Sequence, residues 1–275
     1  MNTEVVSSTS IDMGTVNYNN ALANSGTAGY TMGQYSGGGE VTTVYKLTFS
    51  NDSVSTPGAT ISAGRAWGAP HANSGTAGYV TGGSLGGGRT STDKLAFSND
   101  SRSTIASNLS AAVYQAAGFA NSGTAGYVVG GNSSGASKLS NIHKLTYSND
   151  TFTQNVSYLA LVTESIGYAG FANSGTAGYA AGGTDGNFVT SSTIYKVTFS
   201  NDSRSNLGAT LSSGARAISG FANSGTAGYF AGHSSSASAS SIQKLTFSND
   251  TMSTLSATMT KKKYQFGSFA NSGTL

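Results

Sequence analysis

Cysteine is absent from this sequence of 275 residues, and histidine and proline are scarce, with three and two copies. The lack of cysteine excludes disulfides, thiol catalysis and cysteine-based metal sites. Charged residues make up only 9% of the chain, against about 25% in an average soluble domain, which argues against an ordinary cytosolic enzyme. Disorder is equally disfavoured, because 10% of the residues are aromatic and β-branched residues are plentiful.

The charge pattern offers no surface for nucleic acid. The net charge is +3, and the one basic run is 261–263, whereas nucleic-acid binding needs a basic face. No apolar run approaches the ~18 residues of a membrane span. The N-terminal MNTEVVSSTS has neither the basic start nor the apolar segment of a signal peptide. We therefore expect a soluble protein with no nucleic-acid partner and no membrane partner.

The dominant feature of the sequence is an internal repeat. The octapeptide ANSGTAGY occurs five times, at 23–30, 72–79, 120–127, 172–179 and 222–229, and a sixth copy begins at Ala270 as ANSGTL. The six copies start at intervals of 48–52 residues. A second unit, KLTFSND with small variations, follows the same period at 46–52, 94–100, 144–150, 196–202 and 244–250. Two units that share one period of this length predict a β-propeller.

Each repeat carries the signals of four strands. In 213–256, apolar and polar residues alternate with period two between clusters of Asn, Asp, Gly and Ser, which is typical of antiparallel hairpins. We predict an all-β fold, a five-bladed β-propeller of four-stranded antiparallel blades, with six blades as the alternative. The chain is expected to be a single domain, 1–275, with repeats at about 15–64, 65–112, 113–164, 165–214 and 215–262 and a surplus partial repeat at 263–275.

The repeated turns and aromatic columns explain why the repeat is so faithful. In ANSGT, we expect the Asn side chain to bond its own backbone two residues on and the Gly to adopt positive φ, and we expect FSND to form a similar turn. Tyrosines recur at 30, 79, 127, 179 and 229, and a ring recurs at 49, 97, 147, 199 and 247. Small residues before the repeated Asn predict that this first strand lies next to the central axis. Fixed turn lengths then hold every buried side chain in register.

These residues resemble the kelch repeat. A short strand ending in two glycines stands as GYVTGG (78–83), GYVVGG (126–131) and GYAAGG (178–183), and Arg65 and Arg216 precede the next such unit. The resemblance implies a propeller of four-stranded blades. It departs from the family at GYTMGQ and GYFAGH, which lack one glycine each, and the usual fourth-strand Trp is absent, so kelch partner binding is not carried over. The composition of the repeats, which is rich in Ser, Thr, Gly and Asn, is also similar to that of repeat proteins of marine tailed phages.

Candidate ligand-binding residues lie where the repeats differ. The loops between second and third strands vary, at 34–42, 84–92, 132–141, 184–192 and 233–241, and so does the start of the first strand. Aromatic and Arg side chains dominate binding anchors, and aromatic faces stack on sugars. The candidates are Arg65, Trp67, His71, Tyr114, Tyr168, Arg216 and Tyr264. His71 also takes the place of a Phe in its column, which favours a half-buried structural role.

The chain offers little for catalysis, metal binding or a cofactor. The three histidines fall in different repeats, and the recurring Asp of FSND is expected to occupy one turn per blade, apart from its copies. No GxSxG motif and no phosphate-binding loop is present. The recurring Lys of KLTFSND (46, 94, 144, 196 and 244) has two interpretations. Either these lysines form a ring that attracts anions, or their stems pack between blades while the ammonium groups reach water.

We therefore expect a non-catalytic structural or adhesion module, a virion tail or fibre component that contacts other surface-assembly proteins or a host-surface glycan. The alternative is a lectin with one glycan site per blade. The segments 4–24 and 252–271 each combine a fourth strand, a connection and a first strand, so the chain carries this unit six times. This surplus predicts that one end is free for a partner or that neighbouring subunits exchange it.

Overall fold

The computed structural model describes residues 16–83, 87–133, 139–158, 166–184, 189–223, 225–232 and 240–259. The described residues form β-strands and turns, with no helix, in five antiparallel sheets. Each sheet is one blade of a five-bladed β-propeller, as the repeat predicts. Strand order follows chain order in blades two to five, where each strand pairs with the next.

The blades correspond one to one with the repeats. Blade one contains β1 (Val16–Asn17), β2 (Ala21–Asn24), β3 (Ala28–Ser36), β4 (Gly39–Thr48) and β5 (Ser53–Ser55), with β1 and β2 both paired to β3. Blade two contains β6 (Ala69–Asn73), β7 (Ala77–Thr81), β8 (Thr92–Ala96) and β9 (Ser101–Thr104). Blade three contains β10 (Ala117–Asn121), β11 (Ala125–Val129), β12 (Asn141–Thr146) and β13 (Thr151–Tyr158). Blade four contains β14 (Ile166–Asn173), β15 (Ala177–Thr184), β16 (Thr193–Thr198) and β17 (Ser203–Thr210). Blade five contains β18 (Ser219–Asn223), β19 (Ala227–Ala231), β20 (Ser241–Thr246) and β21 (Thr251–Thr258).

The first strand of each blade lies innermost, where its small residues are required. First strands of consecutive blades contact each other, from β2 to β18. A Cβ on Gly118 would lie 2.2 Å from the carbonyl oxygen of Pro70, and one on Gly220 would lie 2.9 Å from that of Gly170. Backbones approach this closely only where a side chain is missing.

The strand register places the repeated side chains in one row across each blade. In blade three, Phe119 of β10 pairs with Tyr127 of β11, which pairs with Lys144 of β12. The equivalent rows begin at Leu22, His71, Phe171 and Phe221. The rings pack against the following blade, as Tyr127 stacks on Phe199 with centroids 5.1 Å apart. The hydrophobic core therefore lies between blades, and burying each such ring contributes about 1.5–3 kcal/mol.

The two repeated turns use their asparagines differently. In FSND, Oδ1 of Asn99 accepts the N–H of Ser101 two residues on, at 3.0 Å, and Asp100 adopts a φ of 54°, as the turn chemistry predicts. In ANSGT the expected positive φ of the Gly is confirmed, at 67–81°, but the expected bond from the Asn side chain to its own turn was wrong. Oδ1 of Asn73 accepts the N–H of Gly123 in the next blade, at 3.0 Å, and the same bond recurs at other blade contacts. The asparagine of the octapeptide thus ties neighbouring blades together.

A second repeated contact, which we call the clamp, joins the outer parts of neighbouring blades. The Tyr of the second strand and the Lys of the third strand both donate to the turn Asp of the following blade. In the first clamp, Tyr30 and Lys46 reach Asp100 at 2.8 and 2.7 Å. The other three are Tyr79, Lys94 and Asp150; Tyr127, Lys144 and Asp202; and Tyr179, Lys196 and Asp250.

At four blade contacts the clamp rules out a free ring of lysines and confirms that the lysine stems lie between blades, while it corrects the expectation for their ammonium groups. Lys46, Lys94, Lys144 and Lys196 are ion-paired at 2.6–2.8 Å with side chains only 22–25% exposed. Their ammonium groups therefore neither form a free anion-attracting ring nor extend into water alone. Burial is the main cause that raises the pKa of these tyrosines, and the carboxylate raises the pKa further, because ionisation would place a second negative charge beside the Asp.

Candidate functional site

The candidate site lies on the propeller axis, at the start of the first strands. Five residues, each six positions before the repeated Asn, adopt left-handed backbone with φ of 52–76°. We call this set the axial collar: Tyr18, Trp67, Gln115, Gly167 and Ala217. Left-handed backbone is uncommon in residues other than Gly and is often found at functional sites.

Main-chain hydrogen bonds link the collar from blade to blade. The N–H of Trp67 donates to the carbonyl of Tyr18 at 3.3 Å, and the N–H of Gln115 donates to that of Trp67 at 2.8 Å. Gly167 and Ala217 continue the series with bonds of 3.1 and 3.0 Å. Because the bonding is through the main chain, the side chain at each position can change without loss of these four bonds.

The collar surrounds a cavity of about 120 Å³ that all five blades line. Its walls below the collar come from the crowded first strands, including Pro70, Gly118, Gly170 and Gly220. Among the described residues, tyrosine is the only ionisable side chain that lines the cavity. The chemistry that this cavity offers is therefore main-chain polarity, aromatic faces and small apolar groups.

Aromatic side chains are concentrated on one side of the collar. Tyr18 and Trp67 are partly exposed, and their ring centroids lie 4.1 Å apart with planes inclined by 43°. Tyr35 lies next to Tyr18, with centroids 6.3 Å apart. The indole N–H of Trp67 is covered from solvent and has no acceptor within the described part of the chain. Buried donors are normally satisfied, so this N–H is an exception among the described residues.

Arg65, although a binding candidate by sequence, lies in the core of blade two. Its guanidinium pairs with Asp93 at 2.8 Å, and both side chains are 0% exposed. It also donates to the carbonyl oxygens of Val80, Gly82 and Ser91. Burial lowers the pKa of Arg65, and the nearby Asp93 carboxylate opposes this shift. Arg65 therefore joins strands and has no surface to offer a ligand.

His71 is likewise part of the core, and it is more deeply buried than the half-buried position that its column predicts. It is 0% exposed, and its ring nitrogens lie 3.1 Å from the Tyr147 hydroxyl and 3.3 Å from the Thr81 hydroxyl. His71 and Tyr147 replace the Phe119 and Phe199 pair of another blade contact, so the two polar rings satisfy each other. Burial lowers the pKa of His71 to about 3, which keeps the imidazole neutral.

The remaining described candidates occupy two positions, one on each side of the collar, rather than one column. Tyr114 and Arg216 lie one residue before the collar, and Tyr168 lies one residue after it. The hydroxyl of Tyr114 accepts a hydrogen bond from Asn132 at 2.8 Å, while Arg216 is exposed. Tyr168 lines the cavity but is only 6% exposed. Tyr264 lies outside the described residues.

The structure therefore gathers Trp67 and Tyr168 at the cavity and separates Arg65 and His71 from it. The contributions of Tyr18, Gln115 and Ala217 were missed as members of one ring. The sequence did contain a signal for them, because each stands six residues before a repeated Asn.

Within the described ranges, no three His, Cys, Asp or Glu side chains converge as metal ligands would. In the same ranges, no helix has the length and apolar character needed to cross a bilayer.

Comparison with known proteins supports the architecture alone. No protein-family model matches the chain, and neither does any curated protein sequence. Among solved structures, one described as the structure of YjhT superposes with a TM-score of 0.74 at 12% sequence identity. The match covers 92% of this chain and 87% of that one. At this identity the likeness establishes a shared propeller fold and carries no ligand or activity from one protein to the other.

Proposed function

We propose that this propeller is a non-catalytic structural and adhesion module whose specific contact is made at the axial collar. One observation carries the proposal: at the collar the five blades keep one backbone conformation but present five different environments. A single binding site on a repeat protein must contain residues that differ between the repeats, because identical residues in every blade would bind one ligand per blade. The collar does so with the partly exposed Tyr18 and Trp67 on one side and the small Gly167 and Ala217 on the other.

The repeated residues support the same proposal because their side chains are engaged in holding the blades together. The octapeptide Asn, the second-strand Tyr, the third-strand Lys and the turn Asp are engaged in contacts between blades. A rigid ring that holds a few aromatic anchors loses little conformational entropy on binding, since rings such as Trp and Tyr have few rotatable bonds.

The biological setting is part of the proposal. We infer a kelch-like propeller in a surface assembly such as a virion tail or fibre, in contact with other assembly proteins or a host-surface glycan. The inference is supported by the charge-poor, Cys-free repeats and by the GYVTGG-type units. The lectin with one glycan per blade is the second candidate, favoured only by the five-fold repetition itself.

A glycan array followed by titration calorimetry with the best-bound sugar tests the proposal. For adhesion at the collar we expect about one sugar per chain, with binding lost in Trp67→Ala and retained in Tyr45→Ala, a control at a partly exposed tyrosine of blade one. A stoichiometry near five that is indifferent to Trp67→Ala would replace the proposal with the lectin. If no sugar binds, immunogold labelling of a tail or fibre in electron micrographs supports the structural role. The proposal is contradicted if no sugar binds and neither a tail nor a fibre is labelled.

A further inference from the structure

The clamp is complete at four blade contacts and open at the fifth. Tyr229 and Lys244 of blade five occupy the positions from which the other tyrosines and lysines reach a turn Asp. Asp52 of blade one occupies the position of the Asp that receives them, with a φ of 53° like its four equivalents. Among the described residues, none of these three side chains has a hydrogen-bond or ion-pair partner.

We call these two facing sides of blades five and one the seam. Side chains at the seam are also less buried than their equivalents at the four clamped contacts. Tyr229 is partly exposed, whereas the four tyrosines equivalent to it are at most 1% exposed. On blade one, Leu47 and Phe49 are partly exposed and Asp52 is exposed. Their equivalents at the closed contacts include Leu95 and Leu145, both 0% exposed.

Within the described part of the chain, the two sides of the seam lack partners of opposite charge. Tyr229 and Lys244 need a carboxylate, and Asp52 needs a hydroxyl and an ammonium. One structural unit of this fold presents both at once: the second and third strands of a blade with the Asn-Asp turn that follows. In blade three, Tyr127 and Lys144 point to the next blade while Asp150 receives the previous one. No single ion or small ligand has this arrangement of charges on two opposite faces.

We propose that the seam binds a β-hairpin of the repeat's own type, with the pattern TAGY, then KLTFSND, carried by another polypeptide. The hairpin would donate its Tyr and Lys to Asp52 and accept Tyr229 and Lys244 on its turn Asp. Its apolar row would cover Leu47 and Tyr229, as the closed contacts cover their equivalents. All five KLTFSND units of this sequence belong to blades one to five, so none of them is left to fill the seam. This surface is separate from the axial collar, and the proposal is independent of collar binding.

The first test uses a fluorescein-labelled synthetic peptide of residues 222–252, which contains one complete hairpin, and the full chain. We expect saturable binding by fluorescence anisotropy. Lys244→Met in the chain, or Asp250→Asn in the peptide, should weaken it about tenfold or more, because a charge-assisted hydrogen bond is lost on one side. Lys196→Met is the matched control at a closed contact, and it should leave peptide affinity within about twofold while lowering the thermal midpoint of the chain.

An isolated hairpin is barely stable in water, so a second measurement covers weak binding. The same hairpin is joined to Leu275 by a flexible linker, which raises its effective concentration to the order of millimolar. We expect the thermal midpoint to rise by about 4 °C or more, and Lys244→Met to remove the gain.

Three results would overturn the proposal. Absence of peptide binding together with an unchanged midpoint in the tethered chain would show that the seam accepts no hairpin. Binding that is equally weakened by Lys196→Met would show that it does not use the seam. Dimers in sedimentation velocity that disappear with Lys244→Met would show that a second copy of this chain, and not a different molecule, covers the seam.

Discussion

Tyr79 and Asp150 lie 71 residues apart in the chain and are joined by a hydrogen bond of 2.9 Å. The second carboxylate oxygen of Asp150 accepts Lys94 at 2.6 Å, so one turn receives two donors from the preceding blade. A blade of four strands cannot cover both of its faces, and repeat folds gain stability from contacts between neighbours. The repeated Tyr, Lys and Asp therefore act across blades rather than within them.

Replacing Asp150 tests the stabilising role of the clamp. Asp150→Asn keeps a residue that tolerates left-handed backbone but removes the charge that pairs with Lys94. We expect the free energy of unfolding to fall by about 1–2 kcal/mol, measured by urea denaturation. Asp52→Asn at the seam is the control and should change it by less than about 0.5 kcal/mol. Equal losses in the two variants would contradict the assignment.

Adding one methyl group at the axis tests the packing of the first strands. Gly118→Ala places a Cβ 2.2 Å from the carbonyl oxygen of Pro70, so the strands must separate. We expect a loss of about 1–3 kcal/mol in the free energy of unfolding. Gly208→Ala, where a Cβ meets nothing within 4 Å, should be nearly neutral. A tolerated Gly118→Ala would show that the first strands are not crowded at the axis.

His71 makes stability depend on pH in a defined direction. Its pKa of about 3 in the fold lies below 6.5, the ordinary value, so the unfolded chain binds a proton that the folded chain does not. The stabilisation is complete above pH 6.5 and is lost as pH falls towards 3. The contribution of this one proton reaches about 1.4 kcal/mol per pH unit within that window.

The double variant His71→Phe with Tyr147→Phe reproduces the Phe119 and Phe199 pair found elsewhere in the ring and isolates this effect. Urea denaturation at several pH values between 4.5 and 6.5 should show a shallower pH dependence in the variant. Contributions from Asp and from His143 are common to both proteins and cancel in the comparison. Identical slopes would contradict the burial of a neutral His71.

The architecture could be predicted from sequence because its determinants are local and repeated. A fixed period, turn residues and alternating strands specify each blade, and the rings at Tyr127 and Phe199 mark the faces that meet. The clamp was missed because its partners lie one repeat apart, and a Lys in a strand and an Asp in a turn each have an adequate local explanation. Only their equal recurrence in every repeat indicated a pair.

The binding candidates were harder to predict because they were chosen by residue type and not by their position relative to the repeated Asn. Trp67, Tyr114 and Tyr168 are all aromatic near the start of a first strand, yet they occupy three different positions relative to the repeated Asn. Counting back from that Asn would have aligned Trp67 with Tyr18 and Gln115. Arg65 and His71 were misplaced for another reason, since burial of a polar side chain depends on partners such as Asp93 and Tyr147 from other strands.

The most direct test of the account compares five equivalent lysines in one molecule. Brief acylation of the native chain with an N-hydroxysuccinimide ester, followed by mass spectrometry, gives a rate for each lysine of KLTFSND. Lys46, Lys94, Lys144 and Lys196 each donate to a carboxylate, and this charge-assisted hydrogen bond has to break before acylation. They should therefore react slowly, whereas Lys244 should react at least about fivefold faster. Five equal rates would contradict the claim that the repeated residues clamp four blade contacts and leave one open.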